Sequence, residues 1–429
     1  MEKLFGLSGH GTTVQRELIA GLTTFLTMSY ILAVNPGMLG ETGMPKDAVF
    51  TATVISSLIA TLVMAFAANL PVALAPGMGL NAFFTYTAVI GLGYTWQIAL
   101  TAVFLEGILF VILSLFNVRE AIVRAIPGNL KRAVAVGIGL FIALIGLEGS
   151  GVIVGSPATL VSIGNITSGS AMVTMFGLII TIGLYANRIP GAILLGILAT
   201  TIVGIPFEVT VLPSDFALFR MPAPPLFLQF DFSQVASLKF FTIFFTFLFV
   251  DIFDTVGTLM GVTTQAGLTD AQGNIPRVKQ ALLADAVGTI VGAGLGTSTV
   301  TSYVESTAGV AAGGRTGLAS VFTAALFFVA LFLSPLFLLI PKAATAPALV
   351  IVGFLMMRSV TNIDFQDLTE GIPAFVTIIM MPFAYSIAEG IVYGVLSYVV
   401  IKVITGRLRD IPLITWILSI IFILRFFLK

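Results

Sequence analysis

The sequence has little charge, a single histidine and no cysteine. Charged residues make up 9% of the 429 positions and hydrophobic residues 58%, whereas an average globular protein is about 25% charged. A water-soluble fold could not bury this much apolar surface, so the composition indicates an integral membrane protein. The absence of cysteine excludes disulfides, thiolate metal sites and cysteine nucleophiles. Because the histidine is His10, near the N-terminus, a Ser-His relay and a histidine metal site within the membrane are excluded as well.

Several other features are missing. The net charge is zero, so nothing favours a nucleic-acid partner. No Walker lysine motif is present, and we therefore expect a gradient rather than ATP as the energy source. The glycines of 292–296 lack the strand–helix unit of a dinucleotide site and are interpreted as close helix packing. Residues 1–10 lack the pattern of a signal peptide, so the first span is expected to direct insertion. We expect no cofactor and no enzymatic activity.

Apolar runs of about 20 residues predict fourteen membrane spans, numbered 1 to 14 in chain order. The fold class predicted is therefore an all-α integral membrane protein. The apolar run at 411–428 is either a fifteenth span or an interfacial helix. The predicted spans are 17–34, 48–70, 71–90, 95–117, 131–147, 169–187, 190–205, 238–260, 278–295, 297–315, 317–340, 345–360, 371–384 and 386–405.

Lysine and arginine counts predict the orientation. With the N-terminus in the cytoplasm, the outer loops hold only four of these residues up to position 409: Lys46, Arg220, Lys239 and Lys342. The inner segments hold the other fourteen: Lys3, Arg16, Arg119, Arg124, Lys131, Arg132, Arg188, Arg277, Lys279, Arg315, Arg358, Lys402, Arg407 and Arg409. This positive-inside bias predicts a cytoplasmic N-terminus and a multi-pass protein of the plasma (inner) membrane.

Spans 3 and 10 are irregular. In span 3, Pro76 lacks an amide donor and Gly77 weakens a helix, so residues 72–75 are expected to be extended. A helix is then expected to begin near Asn81, whose amide could cap it or reach a ligand. Span 10 starts with the β-prone stretch 296–304. Broken spans at equivalent positions of two halves point to a binding site at the midplane of an inverted-repeat transporter.

Five carboxylates lie within or at the edge of the spans: Glu106, Asp251, Asp254, Asp285 and Glu305. No lysine or arginine lies in mid-span to pair with them. A charge at bilayer depth costs about 2.5–3.5 kcal/mol on insertion scales, so such residues usually face a bundle interior or a solute pathway. Desolvation favours their protonated form, which makes them candidate proton carriers.

The spacing of the acids predicts different roles for them. Asp251, Asp254, Thr255 and Thr258 fall on one helix face, as a pathway lining or a polar clamp between helices would require. Glu106 stands on a regular helix without a polar stripe, which favours a clamp. Asp285 lies between small residues, which suggests close helix packing around one acid.

Three motifs carry a resemblance to a known family: APGMGLNAFF at 75–84, FVDIFDTVGT at 249–258 and ESTAGVAAGGRT at 305–316. Together they resemble the nucleobase:cation symporters, and among them the adenine/guanine/hypoxanthine permeases named for azaguanine resistance. The resemblance covers essentially the whole chain. It implies a 7+7 inverted repeat with short antiparallel strands in spans 3 and 10, a purine substrate, proton symport and a homodimer.

The resemblance also implies a division into domains. Its core domain corresponds to residues 1–117 (spans 1–4) and 238–343 (spans 8–11). Its gate domain corresponds to residues 118–237 (spans 5–7) and 344–429 (spans 12–14 with the C-terminal apolar run).

Site residues follow from the resemblance position by position. Asp254 matches the acid of span 8 that hydrogen-bonds the base, and Glu305 matches the residue of span 10 that contacts it. Asp285 matches the acid of span 9, and Asn81 matches the polar residue of span 3. Ser306 replaces the asparagine usual in the xanthine and uracil branches, which argues against xanthine or uric acid as substrate and favours the azaguanine branch.

The sequence therefore predicts proton-coupled uptake of purine bases by alternating access, of the elevator or rocking type. The predicted substrate residues are Asn81, Asp251, Asp254, Thr258, Glu305 and Ser306. The candidates for proton coupling are Asp254, Asp251, Asp285 and Glu305. Tyr30, Phe83 and Tyr303 are expected to offer a stacking face. The alternatives are uracil, xanthine or an inorganic anion as substrate, a channel, or an intramembrane aspartyl protease, whose Gly-x-Gly-Asp signature is absent.

Overall fold

The computed structural model describes residues 1–115, 127–213, 216–269 and 275–427. Within these ranges, ten helices are long and apolar enough to cross a membrane, and two shorter apolar helices stand at the positions of spans 7 and 13. Spans 3 and 10 are broken, each with a short strand, as predicted. The predicted all-α membrane fold is therefore confirmed. Arg119 and Arg124, and the predicted domain boundary at 117/118, lie outside the described residues.

The helices of the twelve unbroken spans follow the predicted order. Their bounds are Val14–Met28 with Ile31–Leu39 (span 1), Lys46–Val63 (2), Trp96–Leu115 (4), Gly128–Gly149 (5), Gly169–Ala186 (6), Ala192–Val203 (7), Leu238–Gln265 (8), Val278–Leu295 (9), Gly317–Ala330 with Ser334–Leu338 (11), Lys342–Met357 (12), Leu368–Phe383 (13) and Ile387–Ile404 (14). A short helix, Glu2–Phe5, precedes them.

The two broken spans meet through their strands. Strand β1, Leu74–Pro76, pairs antiparallel with β4, Val300–Ser302. The pairing is extended by backbone hydrogen bonds from Gly77 to Thr299 and from Tyr303 to Ala73, both of 3.0 Å. An inverted 7+7 repeat requires the equivalent spans 3 and 10 to run in opposite directions, as this antiparallel pairing shows. The pairing joins the two halves of the chain.

Threonine hydroxyls satisfy backbone groups of both strands. Thr61 on span 2 accepts from the N–H of Leu74 at 3.0 Å and donates to its C=O at 3.2 Å. Thr289 on span 9 does the same for Val300, at 3.2 and 3.0 Å. Spans 2 and 9 are equivalent in the repeat, so each half supplies one threonine to its own strand. Polar backbone inside a membrane must find such partners.

The helix of span 3 begins earlier than predicted. It comprises Met78–Ala82 and continues in π-helical form over Phe83–Gly91. Gly77 is the extended residue that precedes it, and a Cβ there would clash with a methyl carbon of Thr301. The prediction that Asn81 stands at the helix start is wrong, because the chain turns helical as soon as it passes this close contact. The helix of span 10, Ser306–Ala311, does begin directly after Glu305.

The spans pack in two groups. Spans 1–4 and 8–11 contact mainly one another and form the first helix group; spans 5–7 and 12–14 form the second. Ion pairs join spans 13 and 14 within the second group: Lys402 to Glu370 at 2.9 Å and Arg407 to Asp367 at 2.8 Å. Hydrogen bonds from the Thr369 side chain and backbone, with Arg407 nearby, lower the pKa of Asp367 to about 2.

Two further elements lie outside the fourteen spans: a hairpin that the sequence did not predict, and a helix in the C-terminal apolar run. Strands β2, Ile153–Ser156, and β3, Leu160–Ile163, form an exposed hairpin between spans 5 and 6. The C-terminal apolar run contains a 15-residue helix, Leu413–Phe427, which packs against span 14. Such a helix is about 22 Å long. Helices of 12 and 16 residues stand at spans 7 and 13, so the fifteenth span and the interfacial helix both remain predictions.

The threonine contacts give a test of the fold. Thr289→Val should leave the N–H and C=O of Val300 without their partner and lower the free energy of unfolding by about 1–3 kcal/mol. Thr61→Val should have a similar effect on β1. Thermal unfolding in detergent measures both. In the control Thr405→Val, which removes an exposed hydroxyl bonded to the C=O of Ile401, we expect little change. Wild-type stability of both the Thr289→Val and the Thr61→Val proteins would contradict this account of the strands.

Candidate functional site

Glu305 is held by a tyrosine from span 1. The hydroxyl of Tyr30 donates to Oε1 of Glu305 at 2.7 Å, and both side chains are buried. The backbone C=O of Glu305 also accepts from the Thr27 hydroxyl at 3.4 Å. One carboxylate oxygen is thereby fixed, and the carboxylate keeps further acceptor positions for a ligand. Span 1 thus orients the acid that stands at the start of the span 10 helix.

Two aspartates of the site meet at one threonine hydroxyl, which also contacts a second threonine. The hydroxyl of Thr255 lies 3.0 Å from Oδ1 of Asp251 and 2.7 Å from Oδ1 of Asp285. It also lies 2.8 Å from the hydroxyl of Thr301, next to β1. The carboxylate of Asp254 lies in the same region, because a Cβ at Gly77 would meet both a methyl carbon of Thr301 and Oδ2 of Asp254. The two hydroxyls therefore connect acids of spans 8 and 9 with the strand of span 10.

The network restricts where protons can be. A hydroxyl carries one proton, so Thr255 can donate to only one of its two carboxyl neighbours. For the contacts with Asp251 and Asp285 both to be hydrogen bonds, one of these carboxyls must carry a proton and donate it to Thr255. The arrangement can thus hold a proton between spans 8 and 9.

Two cavities lie where the helix groups meet. The first, of about 190 Å³, is lined by Asp254, Thr258, Val304 and Leu355 among others, and is called the aspartate cavity. The second, of about 180 Å³, is lined by Glu305 together with Thr27, Tyr185, Arg358 and again Val304 and Leu355, and is called the glutamate cavity. Three of the predicted site residues, Asp254, Thr258 and Glu305, therefore face open space on either side of one shared wall.

The other predicted residues lie behind the cavity walls and bind the protein itself. Asn81 donates to the C=O of Pro76 at 3.4 Å and accepts from the hydroxyl of Ser298. The hydroxyl of Ser306 accepts from the N–H of Ala73 at 3.0 Å. Asp251 and Asp285 are fully buried at Thr255. These side chains thus support the broken spans from behind.

Glu106 of span 4 has a similar supporting place. Its Oε2 accepts from the hydroxyl of Thr299 at 2.9 Å, just before β4. The contact joins span 4 to span 10 and agrees with the clamp that the sequence suggested.

The aromatic residues expected to stack on a ligand are engaged elsewhere. Tyr30 is bound to Glu305, and the hydroxyl of Tyr303 donates to the C=O of Pro76 at 2.5 Å. Phe83 packs edge-on against Phe247, with ring centroids 4.8 Å apart. The aromatic ring that lines the glutamate cavity is that of Tyr185, on span 6.

Sequence reasoning missed several residues that shape the site. Val304 could have been noticed, since it stands beside Glu305 in the span 10 motif. Tyr185 and Leu355 gave no signal, because each is one apolar or aromatic residue in an apolar helix. Their importance depends on helix packing between the two groups, which periodicity does not report.

A family model supplies the identification. Residues 15–393 match the model Xan_ur_permease, described as a permease family. The chain belongs to this family. The family and the relatives below are permeases rather than enzymes, which agrees with a multi-pass protein of the cell membrane.

Three relatives match along almost their whole length. A permease of Methanocaldococcus jannaschii is 50% identical over 99% of this chain and 98% of its own. The adenine permease AdeP of Escherichia coli is 44% identical over 99% of this chain and 95% of its own. The guanine/hypoxanthine permease PbuG of Bacillus subtilis is also 44% identical, covering 100% of both chains. The resemblance to adenine and guanine/hypoxanthine permeases is therefore confirmed.

The fold also resembles a solved structure. The transmembrane domain of the cyanobacterial bicarbonate transporter BicA superimposes with a TM-score of 0.65 over 88% of this chain and 97% of that one. Sequence identity is 16%, so the likeness concerns the fold alone. It agrees with the 7+7 inverted repeat read from the β1–β4 pairing.

Proposed function

We propose that this permease carries purine nucleobases (adenine, guanine or hypoxanthine) into the cell with protons. The observation that carries the proposal is the placement of Asp254 and Glu305 in two cavities that share one wall, at the crossing of the broken spans. Relatives of similar length that match end to end are named as adenine or guanine/hypoxanthine permeases. The homodimer implied by the resemblance stays a prediction.

The chemistry of the site suits a neutral base. A purine offers N–H donors along one edge, and carboxylates accept them. Because Tyr30 fixes one oxygen of Glu305, the carboxylate is pre-oriented and a base need not order it. We propose that Asp254, Thr258 and Glu305 contact the base directly. Asn81, Asp251 and Ser306 then position the segments that carry these contacts.

Glu305→Gln tests the substrate contact. The amide keeps the size of the side chain but replaces one acceptor with a donor, which would face a purine N–H. Loss of a charge-assisted hydrogen bond costs about 1.5–3 kcal/mol, so affinity for hypoxanthine or guanine should fall about tenfold to a hundredfold. Calorimetry on the purified protein measures it, with the exposed Glu148→Gln as control. Unchanged affinity would remove Glu305 from the site.

Proton coupling is proposed to use the aspartate network. Asp254 faces a cavity and stands one helical turn after Asp251, which can share a proton with Asp285 through Thr255. Binding of a base at Asp254 would change which carboxyl holds the proton. Coupling therefore needs no charged partner within the membrane.

Asp254→Asn tests the coupling. The variant should still exchange labelled purine across proteoliposomes, because an amide can bind a base, but it should not accumulate purine against a gradient. If the Asp254→Asn protein concentrates substrate in proportion to the imposed pH difference, coupling lies elsewhere, and Asp251, Asp285 and Glu305 are the next candidates in that order.

We further propose that transport moves the two helix groups relative to each other, in an elevator or rocking motion. The groups correspond to the core domain (1–117 and 238–343) and the gate domain (118–237 and 344–429). In the proposed orientation, with a cytoplasmic N-terminus, Arg358 and Ser359 mark the inner end of span 12, and they line the two cavities. The structure then corresponds to an inward-facing state.

Contacts between the groups join them at the opposite end. Lys342 at the start of span 12 pairs with Glu41 at the end of span 1, at 2.9 Å. Glu41 also accepts from the Tyr86 hydroxyl at 3.0 Å. The rings of Tyr86 and Phe141 both pack edge-on against Tyr385, so this cluster joins span 3 to the second group.

A cross-link across this outer contact should stop transport. The chain is naturally free of cysteine, so Glu41→Cys with Lys342→Cys, joined by a short bismaleimide, creates one defined link. Uptake should fall to background, because the groups can no longer separate at this end. The same link between Asp367→Cys and Arg407→Cys, an ion pair within the second group, should leave uptake intact. Full activity of the linked 41–342 protein would contradict the proposed movement.

A further inference from the structure

The wall between the aspartate and glutamate cavities consists of one side chain from each helix group. Val304 lies between β4 and the span 10 helix in the first group and is 42% exposed although apolar. Leu355 lies on span 12 in the second group. These two side chains are the residues that line both cavities. Leu355 therefore occupies the space between the two acids.

The sizes of the cavities make this wall important. At about 190 and 180 Å³, each lies below the range of about 300–1,000 Å³ typical of pockets for drug-sized ligands. Removing most of the Leu355 side chain would join them into one space within that range. A base that touches Asp254 on one side and Glu305 on the other must fit against whatever stands at position 355.

We propose that Leu355 is a specificity-determining residue that limits the size of the base. The inference rests on the proposed purine transport and deepens it: the site takes unsubstituted bases because the Leu355 side chain fills the volume that a ring substituent would need. Span 12 contributes selection by shape, while the acids of spans 8 and 10 contribute selection by hydrogen bonding. A difference of one methylene group in an apolar pocket changes the preference for one substrate over another by about 10- to 200-fold.

Leu355→Ala provides the main test. In proteoliposomes, 6-benzylaminopurine and 9-benzyladenine should inhibit hypoxanthine uptake weakly in the wild type. In the Leu355→Ala protein, the inhibition constant of at least one of them should fall tenfold or more. Phe354→Ala is the matched control, because Phe354 precedes Leu355 on the same helix and its side chain is 54% exposed on the bundle surface. Wild-type selectivity after Leu355→Ala, or an equal change after Phe354→Ala, would overturn the proposal.

A second measurement does not depend on the substrate. In the cysteine-free chain, Leu355→Cys should react with a small methanethiosulfonate reagent through the cavities. Phe354→Cys should react at least tenfold more slowly, because we expect lipid to cover the exposed face of span 12. Equal rates at the two positions would overturn the placement of Leu355. If wild-type protein takes up none of adenine, guanine and hypoxanthine, the proposed function fails. If it takes up a base but the Leu355→Ala protein selects as before, only the inference on Leu355 fails.

Discussion

Backbone polar groups inside a membrane need partners, and the site depends on how spans 3 and 10 meet this constraint. Proline and glycine end the helical pattern at Pro76 and Gly77. The backbone N–H and C=O groups there therefore cannot all find partners within a helix. Pairing of β1 with β4 supplies some of the missing partners, and Thr61 and Thr289 supply others. Because the strands pair across the two halves, the same interaction that satisfies the backbone also brings the span 8 and span 10 acids to one region.

Hydroxyl groups hold most of the buried acids of the site in place. The hydroxyl of Thr255 stands between Asp251 and Asp285, while the hydroxyl of Tyr30 holds Glu305. Asp251, Asp285 and Glu305 each have a hydroxyl neighbour, which limits the orientation of the carboxyl group and the position of any proton on it. In a low-dielectric interior such networks bind a ligand or a proton at a defined atom instead of attracting any cation. Two acids face cavities and two stay behind them, and the proposed function assigns contact with the base to the first two and storage of a proton to the second two.

Much of the fold could be predicted from the sequence, because long apolar runs and interrupted ones follow directly from the bilayer. The extended residues of span 3 and the β-prone stretch of span 10 were predicted by local chemistry, whereas their antiparallel strands were implied by the family resemblance. The start of the span 3 helix was not, because it depends on a close contact between Gly77 and Thr301 on a distant segment. The aspartate stripe was predicted as one face; packing divided it, with Asp254 and Thr258 at a cavity and Asp251 and Thr255 against span 9. Leu355 was beyond sequence reasoning, since only the packing of the two helix groups places it between the acids.

Proton movement that accompanies the base is the most direct test of the account. Purified protein in liposomes that contain a pH-sensitive dye, with no sodium present and the membrane potential clamped, should acidify the interior when hypoxanthine, guanine or adenine is added outside. The acidification should require the base and should saturate together with its uptake. Entry of a base at the same rate without any proton influx, or only in the presence of sodium, would contradict the account.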